Sequence, residues 1–335
     1  MQYQVYWRLP LLLFMITWLT TTGFRFDNGI IYHFVLAILL SPIDIESAYN
    51  AWVSLGELLY QGVKFSVPLM CILTCHEFGH YIQTRRYGVY SSLPYFIPMP
   101  IGPFGTMGAV IAMDGRIPHS RALFDIGISG PLAGLVPTMF CLYYGIKWSH
   151  FGPVLDSELI FGEPLLFQYF TYWIFGAVPS AMTLYVHPIG MAGWVGLFLT
   201  SLNLMPFGQL DGGHVFYALL GRRAAIISWT AFYVVIILVV LFQLWHWSLI
   251  LILLAWIGVT HPPTANDAMP LTPFRRILGW GTLAFIVLGF TPTPIILEEP
   301  EISSEPPKLY CYVTESEYPF YVDKRNFFQN WNWMS

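Results

Sequence analysis

The sequence predicts an all-α fold, a polytopic bundle of about six to seven transmembrane helices with a short membrane-embedded β element. Of the 335 residues, 56% are hydrophobic and 10% are charged, whereas soluble domains carry about 25% charged residues. The apolar residues also come in long blocks. So few charges cannot cover a water-facing surface, and the longer blocks are sufficient to cross a bilayer. The lipid bilayer is therefore a predicted partner.

The predicted spanning helices follow the apolar blocks along the chain. The first block follows Arg8, as in a signal peptide, but no clear small-residue cleavage site comes after it, so we expect a retained helix. Ile30–Leu40 and Leu165–Val186 are short or interrupted, and are compatible with interfacial, re-entrant or spanning placement. The blocks predicted to span are Leu9–Phe24, Leu55–Thr84, Ala122–Ile146, Ile189–Met205, Ala224–Trp245, Trp247–Val259 and Ile277–Phe290.

The interval Ser91–Met113 departs from this helical pattern. Its first half, Leu93–Pro103, holds too many prolines for a helix interior. Its second half, Gly105–Met113, is typical of a short strand with glycines that allow close backbone approach. Non-helical backbone at membrane depth is tolerated only inside protein or beside a water-filled cavity. We therefore expect this interval to line a cavity.

Composition divides the chain into three predicted regions. Residues 1–54 form an N-terminal transmembrane or interfacial region, residues 55–294 form the core, and residues 295–335 form a polar, partly disordered tail. The net charge of −4, without a basic patch, excludes nucleic acid as a partner. The pattern leaves the oligomeric state open.

The arginines predict how the bundle lies in the membrane. Arginine pairs at 85–86 and 222–223 lie between apolar blocks that could share one face, whereas residues 148–221 contain no Lys or Arg. By the positive-inside rule, the arginine pairs are cytoplasmic and Trp148–Pro188 lies on the opposite side.

His76-Glu77-Phe78-Gly79-His80 carries the clearest chemical signal. Residues four apart share one face of a helix, so both imidazoles can reach one metal ion. Glu77 adjoins His76 and can accept a proton from water at the metal without being a ligand. The alternative is an interfacial helix end whose histidines face lipid headgroups. Because the preceding stretch is apolar, ionisable residues here point to function.

A catalytic zinc site needs a third protein ligand, and Asp211 is the best candidate. It follows an apolar helix interrupted by Pro206 and Gly208. A broken membrane helix exposes unpaired backbone groups, which suits a cavity rather than lipid. A divalent metal would offset the charge of Asp211 there. An Asp-Gly-Gly turn at the membrane surface is the competing interpretation.

Taken together, the HEFGH sequence at 76–80 and Asn203-Leu-Met-Pro-Phe-Gly-Gln-Leu-Asp211-Gly resemble the site-2 protease family of intramembrane zinc metalloproteases. The resemblance extends over roughly Leu55–Pro294. Shorter similarities are GTMGA at 105–109, GISGPLAG at 127–134 and, as in the bacterial-type branch, His261-Pro-Pro-Thr264 followed by Asp267 and Pro270-Leu271. Neither the first 54 residues nor the tail is covered.

The resemblance implies a zinc metalloendopeptidase that cleaves membrane-protein substrates. His76, His80 and Asp211 are then the ligands of one Zn²⁺ per chain. Glu77 is the catalytic base, and Asn203 is a polar group of the cleft that stabilises the oxyanion. The bacterial-type similarity implies a multi-pass protein of a bacterial inner or cell membrane.

Two other functions are compatible with parts of this pattern. A proteolytically idle protein that binds metal and retains client helices has no chemical need for Glu77. A metal transporter needs further acidic or histidine residues along a membrane path, whereas the remaining ones lie mainly in loops. Among the other polar and small residues, His214 either supports a ligand or lies at the surface, and His261 is predicted to be structural. Three glycines are predicted to allow close helix packing, namely Gly127, Gly130 and Gly134.

Overall fold

The computed structural model describes residues 7–23, 45–100, 104–153, 160–177, 182–296 and 311–313. Most of these residues are helical, as predicted. The predicted apolar stretch Ile30–Leu40 lies outside the described residues. The helices are α1 (Arg8–Gly23), α2 (Ile45–Arg86), α3 (Ser120–Lys147), α4 (Leu165–Phe175), α5 (Pro188–Asn203), α6 (Asp211–Leu220), α7 (Arg223–Leu241), α8 (Ser248–Ile257) and α9 (Pro273–Gly289).

Three of the described helices are long and apolar enough to cross a membrane: α2 from Trp52 onward, α3 and α7. The 28 residues of α3 extend over about 42 Å, more than the roughly 30 Å of a hydrocarbon core. A shorter apolar helix, Trp245–Ile257, follows α7. Helix α2 runs without a break through the predicted boundary between residues 54 and 55.

The central helices pack through glycines that bring their backbones together. On α3, a Cβ at Gly145 would overlap the backbone of Gly190 at the start of α5. A Cβ at Gly193 would lie 2.7 Å from the Leu142 backbone nitrogen, and one at Gly196 would lie 2.9 Å from Ile72 of α2. Lipid solvates apolar side chains as well as the protein interior does, so the hydrophobic effect does not drive membrane helices together. They associate through such close contacts instead. The result is a core of α2, α3 and α5.

An antiparallel hairpin covers one side of this core. It consists of β1 (Tyr95–Pro98) and β2 (Thr106–Val110). Strand β2 confirms the predicted β element, whereas β1 was not predicted because its prolines masked the strand; the pairing is irregular between Phe96 and Pro98. Gly105 lies directly against α1, and the Thr20 hydroxyl donates to its carbonyl oxygen at 2.8 Å.

A second, mixed sheet has the strand order β3-β5-β7-β4-β6. The stretch Leu165–Val186, whose placement was left open, forms α4 and then β5 rather than one span. Part of this stretch therefore lies in the second sheet. Within the predicted tail, residues 295–335, the described residues form two short strands: β6 pairs antiparallel with β4, and β7 pairs parallel with β5. The strands are β3 (His150–Pro153), β4 (Ile160–Phe161), β5 (Met182–Val186), β6 (Ile295–Ile296) and β7 (Cys311–Val313).

An ion pair joins the start of α9 to α3. Arg275, in the first turn of α9, donates through Nε and Nη2 to the two carboxylate oxygens of Asp125 on α3, both at 2.8 Å. The Tyr87 hydroxyl, just beyond α2, donates to the same carboxylate. The pair is mostly shielded from solvent, with 14% exposure at Asp125 and 30% at Arg275. One carboxylate therefore holds the ends of three helices.

We expect Asp125→Asn to lower the free energy of unfolding by about 2 kcal/mol, because it leaves a part-buried guanidinium without its countercharge. Arg275→Lys should be intermediate, since lysine lacks the planar fork. Thermal unfolding would be followed in detergent with a thiol-reactive dye, with the exposed Cys71 replaced by Ser so that the half-buried Cys75 and Cys141 report the transition. Asp114→Asn, which breaks an exposed pair with Arg116, is the control and should change little. Equal melting temperatures for the Asp125 and Asp114 variants would contradict the assignment.

Candidate metal centre

The two histidines of α2 are buried and share one helix face. His76 is 5% exposed and His80 is 6% exposed, and their Nε2 atoms lie 3.2 Å apart. His80 Nδ1 lies 2.8 Å from the carbonyl oxygen of Ile126 on α3. A carbonyl only accepts, so this nitrogen carries the proton and leaves the Nε2 lone pair of the neutral imidazole free for a metal.

Asp211 completes a cluster with these histidines from the opposite side. Its Oδ2 lies 3.0 Å from His76 Nε2 and its Oδ1 lies 3.1 Å from His80 Nε2. Asp211 is the first residue of α6, where the positive end of the helix dipole favours a carboxylate. The structure thus replaces the competing surface-turn interpretation with a carboxylate, 13% exposed, inside the bundle.

Two glycines after Asp211 explain how the chain delivers this carboxylate. A Cβ at Gly212 would overlap the Leu204 carbonyl oxygen, and one at Gly213 would overlap the Gly208 carbonyl oxygen. Helix α6 therefore begins pressed against the backbone of residues 204–208. Any larger residue at 212 or 213 would move Asp211 away from the histidines.

Glycines on α3 supply the matching surface on the histidine side. A Cβ at Gly130 would overlap the His80 imidazole, and one at Gly134 would lie 3.0 Å from His76 Cβ. A Cβ at Gly127 would lie 2.7 Å from His214 Cβ and 3.2 Å from the Asp211 carbonyl oxygen. The predicted packing role of these three glycines is confirmed. They set the spacing between α3 and both site helices.

The donor set fits a zinc ion. Zinc bonds of about 2.0–2.1 Å in a tetrahedron place neighbouring donors about 3.3 Å apart. The two imidazole nitrogens and the carboxylate oxygens lie 3.0–3.2 Å from one another, and the three side chains form a cluster able to hold a metal ion among the described residues. Two imidazoles and one carboxylate also leave one tetrahedral position for water or substrate, as a catalytic site requires.

The remaining predicted site residues lie beside this cluster. Glu77 is 5% exposed and directly follows His76 on α2. Asn203, the last residue of α5, places its side-chain nitrogen 3.5 Å from His76 Nε2. His80 and His76 lie six and ten residues before Arg86, which puts the cluster about 9–15 Å along α2 from its arginine-bearing end.

Two features of the site were not predicted from the sequence. The Ile126 carbonyl that orients His80 is a backbone acceptor on another helix, and no residue type signals such a contact. Helix α6 was also not among the predicted helices, although the apolar run Val215–Leu220 after Asp211 could have indicated it. His214, whose role was open, is buried at 8% exposure next to this cluster.

The fold and the site define a helical, membrane-type protein with a buried His-His-Asp cluster and an adjacent glutamate. The chain belongs to peptidase family M50, which its sequence matches over residues 64–244. It is 30% identical to the probable zinc metalloprotease EGY1, chloroplastic, of Arabidopsis thaliana over 251 residues, 70% of this chain and 44% of that protein. No solved structure matches the chain significantly.

Two rice proteins are also similar. Identity to the probable zinc metalloprotease EGY1, chloroplastic, of Oryza sativa subsp. japonica is 32% over 181 residues, 50% of this chain and 30% of that protein. Identity to EGY2 of Oryza sativa subsp. indica, with the same description, is 28% over 199 residues, 58% of this chain and 36% of that protein. The chain thus spans less than half the length of these relatives.

The comparisons confirm the predicted family. These relatives are plant chloroplast proteins, so they do not confirm the bacterial-type branch or a bacterial membrane.

We expect Gly130→Ala to disturb the site more than the fold. The new methyl group would overlap the His80 imidazole, so the ring must turn away from Asp211. Zinc content of the purified chain should fall at least several-fold, measured by elemental analysis. Gly281→Ala is the matched control, because its Cβ on the exposed face of α9 meets nothing within 4 Å. Equal zinc content in both variants would show that Gly130 does not set the His80 position.

Proposed function

We propose that this chain is an intramembrane zinc metalloprotease that hydrolyses peptide bonds of transmembrane protein substrates within or near the bilayer. The observation that carries the proposal is the meeting of His76, His80 and Asp211 beside Glu77, inside a bundle with membrane-length helices. Membership of peptidase family M50 supports the same reaction. Glu77 argues against an idle metal-binding protein, which would not need a base.

One Zn²⁺ per chain is the proposed cofactor, held by His76 Nε2, His80 Nε2 and the Asp211 carboxylate. A bound zinc would lower the pKa of a coordinated water towards about 7 and polarise the scissile carbonyl. His80 is prepared for this role because the Ile126 carbonyl holds its proton on Nδ1.

The protein side of the reaction falls to Glu77 and Asn203. The Glu77 carboxylate would take a proton from the attacking water and return it to the leaving amine, as one group serves as base and then acid. The Asn203 side-chain amide would donate a hydrogen bond to the carbonyl oxygen as negative charge develops there. Both groups are fixed by helices, which keeps their distances to the cluster constant.

A substrate must expose its backbone to be cut, and the hairpin offers a way to hold it. Strand β2 pairs with β1 along one edge in a two-stranded sheet, and its Met107 and Val110 side chains are exposed. An unwound segment of a substrate helix would add to the other edge of β2 through main-chain hydrogen bonds. The buried hydrogen bond between Thr84 and Ser91, at 2.6 Å, joins the hairpin base to α2 one turn beyond His80.

The proposed membrane arrangement follows the charge pattern. The arginine pairs at 85–86 and 222–223 would be cytoplasmic and residues 148–188 opposite. The shorter helices α1, α5, α8 and α9 would join the three membrane-length helices to complete six to seven spans. We retain the division into residues 1–54, 55–294 and 295–335 as part of this proposal, together with the bacterial-type branch and a bacterial inner or cell membrane. These last two rest on His261-Pro-Pro-Thr264 followed by Asp267 and Pro270-Leu271.

Glu77→Gln separates binding from chemistry. We expect it to retain zinc, because Glu77 is not a proposed ligand, and to lose at least about 100-fold in turnover, because glutamine cannot accept the proton. Cleavage of a transmembrane reporter in proteoliposomes and zinc content would be measured side by side. Glu57→Gln, an exposed change on the same helix, should cleave normally. Wild-type turnover in Glu77→Gln would refute the mechanism.

Proline substitutions in β2 test the proposed substrate edge. Ala109 pairs with Phe96 and Val110 with Tyr95, and neighbouring residues direct their N–H groups to opposite edges. One of these two residues directs its N–H away from β1. The variant with proline at that residue should keep zinc and fold but cleave at least tenfold more slowly. Ala109→Ser and Val110→Ala are the size-matched controls. Undiminished cleavage in both Ala109→Pro and Val110→Pro would mean that substrate is held elsewhere.

A further inference from the structure

The loop between α8 and α9, residues 258–272, lies against the segment that leads into Asp211. The Val259 carbonyl accepts a hydrogen bond from the Gly208 N–H at 2.8 Å. A Cβ at Gly208 would overlap the Gly258 carbonyl oxygen, so the two backbones touch. Val259 is 1% exposed. Gly213 of α6 packs against the same turn. The α8–α9 loop therefore supports the turn against which α6 begins.

His261 of this loop also packs against the first turns of α6. Its ring centroid lies 4.8 Å from that of His214 and 5.0 Å from that of Tyr217. His214 lies between this ring and Gly127 of α3, and its Nδ1 is buried without a hydrogen-bond partner among the described residues. Residues three apart share a helix face, so His214 lies on the same side of α6 as Asp211. Contacts at His214 thus constrain the rotation of α6.

The far half of the α8–α9 loop is anchored to both α6 and α3. The Tyr217 hydroxyl donates to Asp267 Oδ2 at 2.8 Å, and Thr264 donates through its hydroxyl to Asp267 Oδ1 at 2.6 Å. Ala265 N–H donates to the Ile117 carbonyl at 3.0 Å, and Arg121 Nε to the Pro270 carbonyl at 2.7 Å. One loop therefore connects α6, which carries Asp211, to the start of α3, whose glycines face the histidines.

We propose that the α8–α9 loop positions Asp211 for the metal, with His261 and Asp267 as positioning residues. The inference rests on the proposed zinc site. A carboxylate about 5–6 Å from the axis of α6 moves about 1 Å for every 10° of helix rotation. Metal–ligand distances vary by only about 0.2 Å. The contacts of His261 and Asp267 hold α6 against such a rotation, so Asp211 bridges both histidine nitrogens.

The test is zinc affinity of the full chain in nanodiscs, measured by competition with a zinc chelator. His261→Ala should weaken zinc binding by about tenfold, as loss of a group that orients a ligand does. His261→Phe keeps an aromatic ring against His214 and should restore most of the affinity. His246→Ala is the matched control, since His246 lies at the other end of α8 and contacts Pro292. It should bind zinc as the wild type does.

The hydrogen bond from Tyr217 to Asp267 provides an independent test of the positioning role. Tyr217→Phe and Asp267→Ala remove the same bond from either side, so each should weaken zinc binding several-fold and the double variant should be no weaker than the weaker single variant. If His261→Ala does not fold, these variants decide the question. Unchanged zinc affinity in His261→Ala and Asp267→Ala would overturn the positioning role. Absence of zinc binding by the wild-type chain would instead overturn the proposed function.

Discussion

The structure depends on one interaction, the contact of the Asp211 carboxylate with His76 and His80 across two helices. A carboxylate buried in a membrane protein is costly unless it meets an opposite charge. The two imidazoles carry such a charge only if they are protonated. A divalent cation held by all three side chains would supply it. The close approach of these groups forms a cluster that could hold a metal ion, which is the basis of the proposed zinc site.

Glycine makes this approach possible, because the site consists of helix backbones in contact. Gly130 and Gly134 let α3 touch the histidine rings, and Gly212 and Gly213 let α6 begin against residues 204–208. Glycine has no side chain to bury, so it adds no hydrophobic stabilisation. This loss is small in a membrane, because lipid removes most of the hydrophobic driving force between helices. Close contact then contributes dispersion attraction and, above all, fixed distances. A site that needs ligand positions within a few tenths of an ångström gains most from such rigid spacing.

The sequence predicted the parts of the site that lie within one element. The spacing of His76 and His80 on a helix is local information, and so is the break at Pro206 before Asp211. The Ile126 carbonyl and the contact of His261 with His214 depend on which helices meet, which periodicity does not encode. The fold shows the same division. The apolar blocks became helices, whereas Leu165–Val186 became a helix and a strand because β3 and β7 offered pairing partners.

The hairpin follows from the same requirement for fixed backbone positions. The cluster lies about 9–15 Å along α2 from its arginine-bearing end, and a substrate that remained helical there would have every carbonyl engaged in hydrogen bonds. Cleavage there requires a surface that compensates the backbone groups of an unwound segment, because lipid cannot. Thr20 and Gly105 tie the hairpin to α1, and Thr84 and Ser91 tie it to α2. A strand edge held from both sides would keep an added peptide in a constant position relative to α2, which carries Glu77.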